Sequence, residues 1–404
     1  MIACRMVLVG LAVTACQRTE PGRDRATDRP ATASDAGNGS SATAARPGAR
    51  PIPAMPDPLP GIRKDVTAIV GAATRVAIGD VDGDGDRELV LADAKRLRIV
   101  EPSGRELAST EVAGGIQVLV TADVDGDGRA EVLAGWGASR EFRDAKARVT
   151  LYRLDHGHLV EETVLVPSTK RPDIVAIVPM LDTRSILISY FNSKYMVSTV
   201  VMRRGARGWD VSKIASLRTA TSFARGDVDG DGKPDLVVGR VYGDDQGGDG
   251  DAFVLAPDGT HTAIRTTRGL RSLALADSDG DGHAEMFIGD GWHQDYGQQA
   301  RGLLTWVRHT SDGFHSELIE DTAGQYAIER LLPAQIDGRT AIIASGSHYV
   351  RAFARRADRW RAVTIAGLAR DIAVGDLDGV PGDEIVVVGD RSAIINLRGL
   401  DWTR

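Results

Sequence analysis

Five stretches of this 404-residue chain concentrate carboxylates at a spacing that suits a hard divalent cation. Four are complete nine-residue loops: Asp80, Asp82, Asp84, Asp86 and Glu88; Asp123, Asp125, Asp127, Arg129 and Glu131; Asp227, Asp229, Asp231, Lys233 and Asp235; Asp277, Asp279, Asp281, His283 and Glu285. Aspartates at positions 1, 3 and 5 turn three carboxylates to one side. Glycines at 4 and 6 let the backbone wrap through positive φ. Position 7 offers its carbonyl, which is why its side chain varies freely. An acid at position 9 closes the cage. Such an all-oxygen cage is calcium chemistry, since magnesium retains its waters. The fifth stretch, Asp376, Asp378 and Glu384, is reduced: Val380 replaces the third carboxylate and Pro381 a glycine. The expectation is four Ca2+ sites and a weaker fifth. An EF-hand is excluded, because its twelfth position must be Glu and helices must flank it. Here that position is Leu91, Ala134, Val238 or Ile288, and the flanks are short β-rich runs.

The loops must be held by something that repeats. Their first aspartates lie 43, 104, 50 and 99 residues apart. The two long gaps each hide a copy that keeps strand, loop and strand but loses the aspartate set, at 176–190 and 330–346. Seven copies at a period of about 49 residues indicate a solenoid, propeller or array. Each copy holds four short strands, as in 222–225, 236–239, 252–256 and 261–266. The seventh stops after its third strand, 392–397, while a spare strand, 66–70, precedes the first. If the spare strand completes the last unit, the ring closes and leaves no long open edge. The fold class expected is therefore all-β, a seven-bladed β-propeller of four-stranded blades closed by the N-terminal strand.

Over about residues 62–404 the period, the loops and the apolar-Gly strands (237–239, 287–289 and 387–389) resemble the FG-GAP/VCBS repeat family of integrin-α-like propellers. The Phe-Gly and Gly-Ala-Pro signatures are poorly kept. The resemblance implies calcium loops on one face of the ring and partner contacts mostly on the other. It names no ligand.

Ahead of the repeats the composition changes. Residues 1–15 have a short positive start at Arg5 and a ten-residue apolar run, the pattern of a signal peptide. Val13-Thr14-Ala15-Cys16 resembles a bacterial lipobox, which implies cleavage before Cys16 and lipidation of its thiol. Removal of Cys4 would then leave no disulfide to staple the fold. Residues 16–60, rich in Ala, Pro, Ser, Thr, Arg and Gly, read as a tether. Residues 61–404 are the propeller. The localisation expected is the cell envelope, lipid-anchored at the outer membrane or the periplasmic face.

The formal charge of −7 argues against a nucleic-acid partner. Residues 1–60 hold seven Arg and five acids, so the propeller carries −9. Its 19 proposed ligand acids account for that excess. With four calcium ions bound it would stand at −1, with basic residues to spare. Loops joining second and third strands carry Trp136, Arg140, Lys194, Tyr242, Trp292, His293 and Tyr296, candidates for binding a glycan or a protein partner. Packing between blades is the competing role for the aromatics. No nucleophile motif, phosphate loop or His-x-x-Glu pattern appears, so no catalytic residue is assigned and the reading leans away from an enzyme. The function expected is a membrane-anchored calcium-binding interaction platform. A calcium-dependent polysaccharide lyase, using Lys194, Arg140, His293 or Tyr296, and a purely structural envelope role are the alternatives.

Overall fold

The computed structural model describes residues 65–399 except 70, 113–114, 138–146, 169–172, 181–183, 193–195, 215–216, 243–248, 257–259, 268, 292–300, 324–326, 347–348 and 357–358. The signal-peptide and tether expectations, Cys16 included, lie outside the described residues.

Among the described residues the strands form seven antiparallel sheets of four. Blade 1 is β2 (Arg75–Gly79), β3 (Glu88–Ala92), β4 (Arg96–Val100) and β5 (Glu106–Glu111). Blade 2 is β6 (Ile116–Ala122), β7 (Glu131–Trp136), β8 (Arg148–Asp155) and β9 (His158–Leu165). Blade 3 is β10 (Asp173–Pro179), β11 (Ser185–Phe191), β12 (Val197–Gly205) and β13 (Gly208–Lys213). Blade 4 is β14 (Ala220–Gly226), β15 (Asp235–Tyr242), β16 (Asp249–Leu255) and β17 (His261–Thr267). Blade 5 is β18 (Leu270–Ala276), β19 (Glu285–Asp290), β20 (Leu303–Thr310) and β21 (Gly313–Asp321). Blade 6 is β22 (Ile328–Ile336), β23 (Arg339–Gly346), β24 (Val350–Arg356) and β25 (Arg359–Ala366). Blade 7 takes β26 (Asp371–Gly375), β27 (Glu384–Val388) and β28 (Ser392–Asn396) from the end of the chain, and β1 (Asp65–Ile69) from its beginning.

The first strand of each blade contacts the first strand of the next, and β26 contacts β2, so the ring is closed. The chain is a seven-bladed β-propeller. β1 pairs antiparallel with β28 from Asp65↔Asn396 to Ile69↔Ser392, as the missing seventh-repeat strand required. Across the gap from blade 7 to blade 1, Asp371 Oδ2 accepts the Val76 N–H at 3.1 Å.

Apolar clusters fill all seven gaps between adjacent blades, with two between blades 3 and 4. This is why the second strands read as unbroken apolar runs: β3 and β27 are buried at every position, because both of their faces meet a blade. The outer strand β13 is mostly exposed and correspondingly polar. The glycines near the ends of the second strands in blades 2, 4 and 5 answer to this packing. A Cβ on Gly135 would lie 2.7 Å from Ile174 Cγ2 of the next blade, and one on Gly289 would lie 2.7 Å from Ile328 Cγ2. No positive φ is involved at either position; the next blade simply leaves no room.

Candidate metal centres

The five acidic loops all join a first strand to a second strand, so the topology puts them on one face of the ring. Each is wound around its own first aspartate. Asp80 Oδ1 accepts the Gly83 N–H at 2.7 Å and Oδ2 accepts the Gly85 N–H at 3.1 Å. Asp123, Asp227 and Asp277 repeat both bonds at 2.6–3.1 Å. The glycines at positions 4 and 6 have φ between +78° and +95°, the left-handed turn that L side chains resist. The ninth-position acid reaches back under the loop: Glu88 accepts from the Val81 N–H at 2.7 Å, Glu131 from Val124 at 2.9 Å and Asp235 from Val228 at 3.1 Å. Glu285 takes both the amide (2.8 Å) and the hydroxyl (2.5 Å) of Ser278. The reduced loop keeps this bond, Glu384 accepting from Leu377 at 2.8 Å.

These windings converge carboxylate oxygens to within 4.8 Å of one another in all five loops. The groups are Asp80, Asp82 and Glu88; Asp123, Asp125 and Asp127; Asp227, Asp229 and Asp235; Asp277, Asp279, Asp281 and Glu285; Asp376, Asp378 and Glu384. Only blade 5 brings all four expected carboxylates together. Asp84, Glu131 and Asp231 stand outside their groups, and Asp231 instead receives Lys233 Nζ at 3.1 Å. Asp86, Arg129, Lys233 and His283 contribute no side-chain oxygen to a group; for them only the carbonyl role remains.

The electrostatics of the groups call for a cation. Burial, reinforced by neighbouring aspartates, pushes Glu88 and Glu131 up to about 7. Burial likewise raises Asp82, Asp235, Glu285 and Glu384. Asp125 Oδ1 is buried with no hydrogen-bond partner. Hard oxygen donors, crowded and desolvated, fit a divalent ion.

Sequence similarity agrees with the geometry. The model of FG-GAP-like repeats matches residues 80–134 and 227–288. The chain carries FG-GAP-like repeats. No curated protein matches the chain. Each matched FG-GAP-like stretch spans two consecutive loops, those of blades 1 and 2 and those of blades 4 and 5. Both pairs are physically joined. Ala130 N–H donates to the Asp80 carbonyl at 2.7 Å, and Ala284 N–H to the Asp227 carbonyl at 2.9 Å. Arg129 lies over Gly83, where a Cβ would come 2.8 Å from its Cγ, and the His283 ring lies over Gly230. The position-7 side chain of one FG-GAP-like loop thus covers the preceding loop, a role the sequence reading did not assign. Asp383 N–H donates to the Gln335 carbonyl at 2.7 Å, which joins the reduced loop to the hairpin of blade 6, whose single acid is Asp337.

Arginines on or just after third strands were also missed. Arg153 sits 3.3 Å from Asp125 and 3.6 Å from Glu131, Arg355 reaches Asp279 at 3.6 Å, and Arg398 pairs with Asp378. No sequence signal marks them, because third strands follow their loops at variable distance.

On the opposite face two expectations are corrected. Trp136 is 1 % exposed, stacked under Arg148 at 4.1 Å, and Tyr242 is 2 % exposed. Each ends a second strand that both neighbouring blades cover, so neither presents a ring to a ligand. Arg140, Lys194, Trp292, His293 and Tyr296 lie outside the described residues. The His156-Gly157 turn is a hairpin tip with φ of +48° and +80°. The Arg225-Gly226-Asp227 tripeptide runs into an acidic loop, where Asp227 is engaged by two amides.

Proposed function

We propose that this protein is an exported, lipid-anchored propeller, loaded with calcium, that serves as a binding platform for a protein or surface glycan of the cell envelope. The coarse part of this reading, an FG-GAP-like propeller of the kind that mediates interactions, rests on the closed ring and the repeat match. The calcium part is supported by one observation above the others: oxygen-only clusters recur at one topological position in five blades. Asp80, Asp82 and Glu88 would hold one ion, and the carboxylate groups of blades 2, 4 and 5 three more. Asp376, Asp378 and Glu384, one carboxylate short and faced by Arg398, would hold the weakest. The ion supplies positive charge that lets buried carboxylates stay ionised, so it acts as a staple in a fold with no disulfide to spare.

The anchor rests on the lipobox-like Val13-Thr14-Ala15-Cys16 and the tether-like composition of 16–60. Isothermal titration of metal-stripped protein tests the staple: four calcium ions should bind with higher affinity than a fifth, and absence of binding in millimolar calcium ends this reading. Fractionation tests the anchor: Cys16→Ser should move the protein from the membrane to the soluble fraction and abolish incorporation of labelled palmitate. The platform is tested by pull-down and glycan array with calcium-loaded protein, and two empty screens count against it.

A further inference from the structure

The acidic loops are alike in their winding but not in what stands beside them. In blades 1, 4, 5 and 7 the ninth-position acid belongs to the converged group. In blade 2 it does not, and Glu131 stands apart from Asp123, Asp125 and Asp127. Beside it is Arg153, on the third strand of the same blade. Arg153 Nε donates to Asp125 Oδ2 at 3.3 Å and lies 3.6 Å from Glu131 Oε1. One guanidinium nitrogen therefore engages two of the carboxylates expected to hold an ion. Among the described residues no lysine or arginine comes within ion-pairing distance of the grouped acids of blades 1 and 4; Lys233 pairs with Asp231, which is outside its group. In blade 5 Arg355 meets Asp279 alone, at 3.6 Å, and all four carboxylates stay together.

Arg153 is fastened in this place. Its Nη1 donates at 3.0 Å to Oε2 of Glu162, on the outer strand of blade 2. The same carboxylate accepts Arg204 Nη1 at 3.1 Å and Trp209 Nε1 at 2.8 Å, both from blade 3. Arg204 also lies over the Trp209 ring, 5.3 Å from its centroid. Glu162 thus cannot follow Arg153 outwards without breaking the contact between two blades. Only 26 % of the Arg153 side chain is exposed, so water and salt screen its charge poorly. In the metal-free loop Asp125 and Glu131 neutralise it. To hold a divalent ion, those two carboxylates must leave Arg153. The guanidinium would then share Glu162 with Arg204, next to two further positive charges. Like charges at such range in a partly desolvated site repel strongly.

We propose that Arg153 is a resident counter-ion that makes blade 2 the last of the four complete loops to take calcium. The proposal rests on the calcium reading above and concerns the order in which its sites fill. Blade 2 is thereby the calcium-responsive element of the ring: it changes occupancy in a range where the loops of blades 1, 4 and 5 are already filled.

The test is hydrogen exchange of the metal-stripped full chain, titrated with free calcium. The blade 4 loop serves as the comparison, because the bond from Ala130 ties the blade 1 loop to blade 2. Protection of 227–235 should rise first. Protection of 123–131 should need about tenfold more calcium, the scale of one charge-assisted contact given up. Arg153→Gln should lower the 123–131 midpoint about tenfold, and Arg153→Lys, which keeps the charge, should leave it near that of the parent. Neither variant should move 227–235. A side chain that only packed would not separate glutamine from lysine in this way. Should Arg153→Gln fail to fold, the order of the two midpoints in the parent decides. Three results overturn the proposal and leave calcium binding standing: a 123–131 midpoint in the parent at or below that of 227–235, one unmoved by Arg153→Gln, or one lowered as far by Arg153→Lys. No response of any loop in millimolar calcium overturns the calcium reading and this proposal together.

Discussion

Stripping the metal should change not only how stable the propeller is but the sign of its pH dependence. With free calcium at about one hundred times Kd, each occupied site stabilises the fold by about 2.7 kcal/mol, and four sites by about 11 kcal/mol. Residues 65–399 imply an unfolding entropy of about 0.7 kcal/mol/K at the usual value per residue. The melting temperature should therefore fall by about 15 °C on passage over a chelating resin. In the stripped protein Glu88 and Glu131 titrate at about 7, above the ordinary 4.5. A raised folded-state value means their contribution is fully present below 4.5 and is lost as pH rises through about 7, so this part of the metal-free stability is greater at pH 5 than at pH 8. Calcium needs the same carboxylates ionised, so its increment shrinks as pH falls. Scanning calorimetry at several pH values, with and without calcium, should give two curves that converge towards pH 5 and spread towards pH 8. Parallel curves, or a melt that ignores metal removal, would refute the reasoning.

Three other outcomes follow from particular contacts. Gly291→Ala drives a Cβ into the backbone of Ala327 in the next blade and should cost about 1–3 kcal/mol, read as a lower urea midpoint at unchanged slope. Glu162 accepts Arg153, Arg204 and Trp209 at 2.8–3.1 Å, the last two from blade 3. Glu162→Gln should cost about 1–3 kcal/mol by the same measurement. The bond from Ala130 to the Asp80 carbonyl couples the loops of blades 1 and 2. Asp123→Asn should therefore lower calcium-dependent hydrogen-exchange protection of 80–88 as well as of its own loop, while 227–235 keeps its protection.

Much of this architecture was legible because its determinants are local. Every proposed ligand of a loop falls within nine residues, and Asp80 needs only Gly83 and Gly85 to wind it. The strand pattern gave the blades, and a missing strand at one end against a spare at the other predicted the seam at β1 and β28. What escaped depends on neighbours at no fixed sequence distance. Arg129 looks like filler at a tolerant position until the preceding loop's Gly83 is found beneath it. Trp136 and Tyr242 look available at the ends of their strands until the adjoining blades cover them. Bulges such as Gln117 and Arg271 come from a slip between paired strands that neither strand records alone.

The seam also constrains the order in which the molecule can be made. β1 is among the first ordered segments to appear, and its partner, Ser392–Asn396, is among the last. Loop-closure entropy grows only slowly with length, so the wait costs little in equilibrium stability, but such distant pairing is slow to form. Until it forms, β1 is an apolar strand without a sheet, and six complete blades form an arc with two open ends. That arc is the vulnerable species on the folding route, open to pairing with another chain. Acidic loops in blades 1, 2, 4 and 5 are complete before the seam closes, so a cation could steady the arc before the ring exists. The same closing strand that leaves the finished ring without a free end can pair only once Ser392–Asn396 has been made.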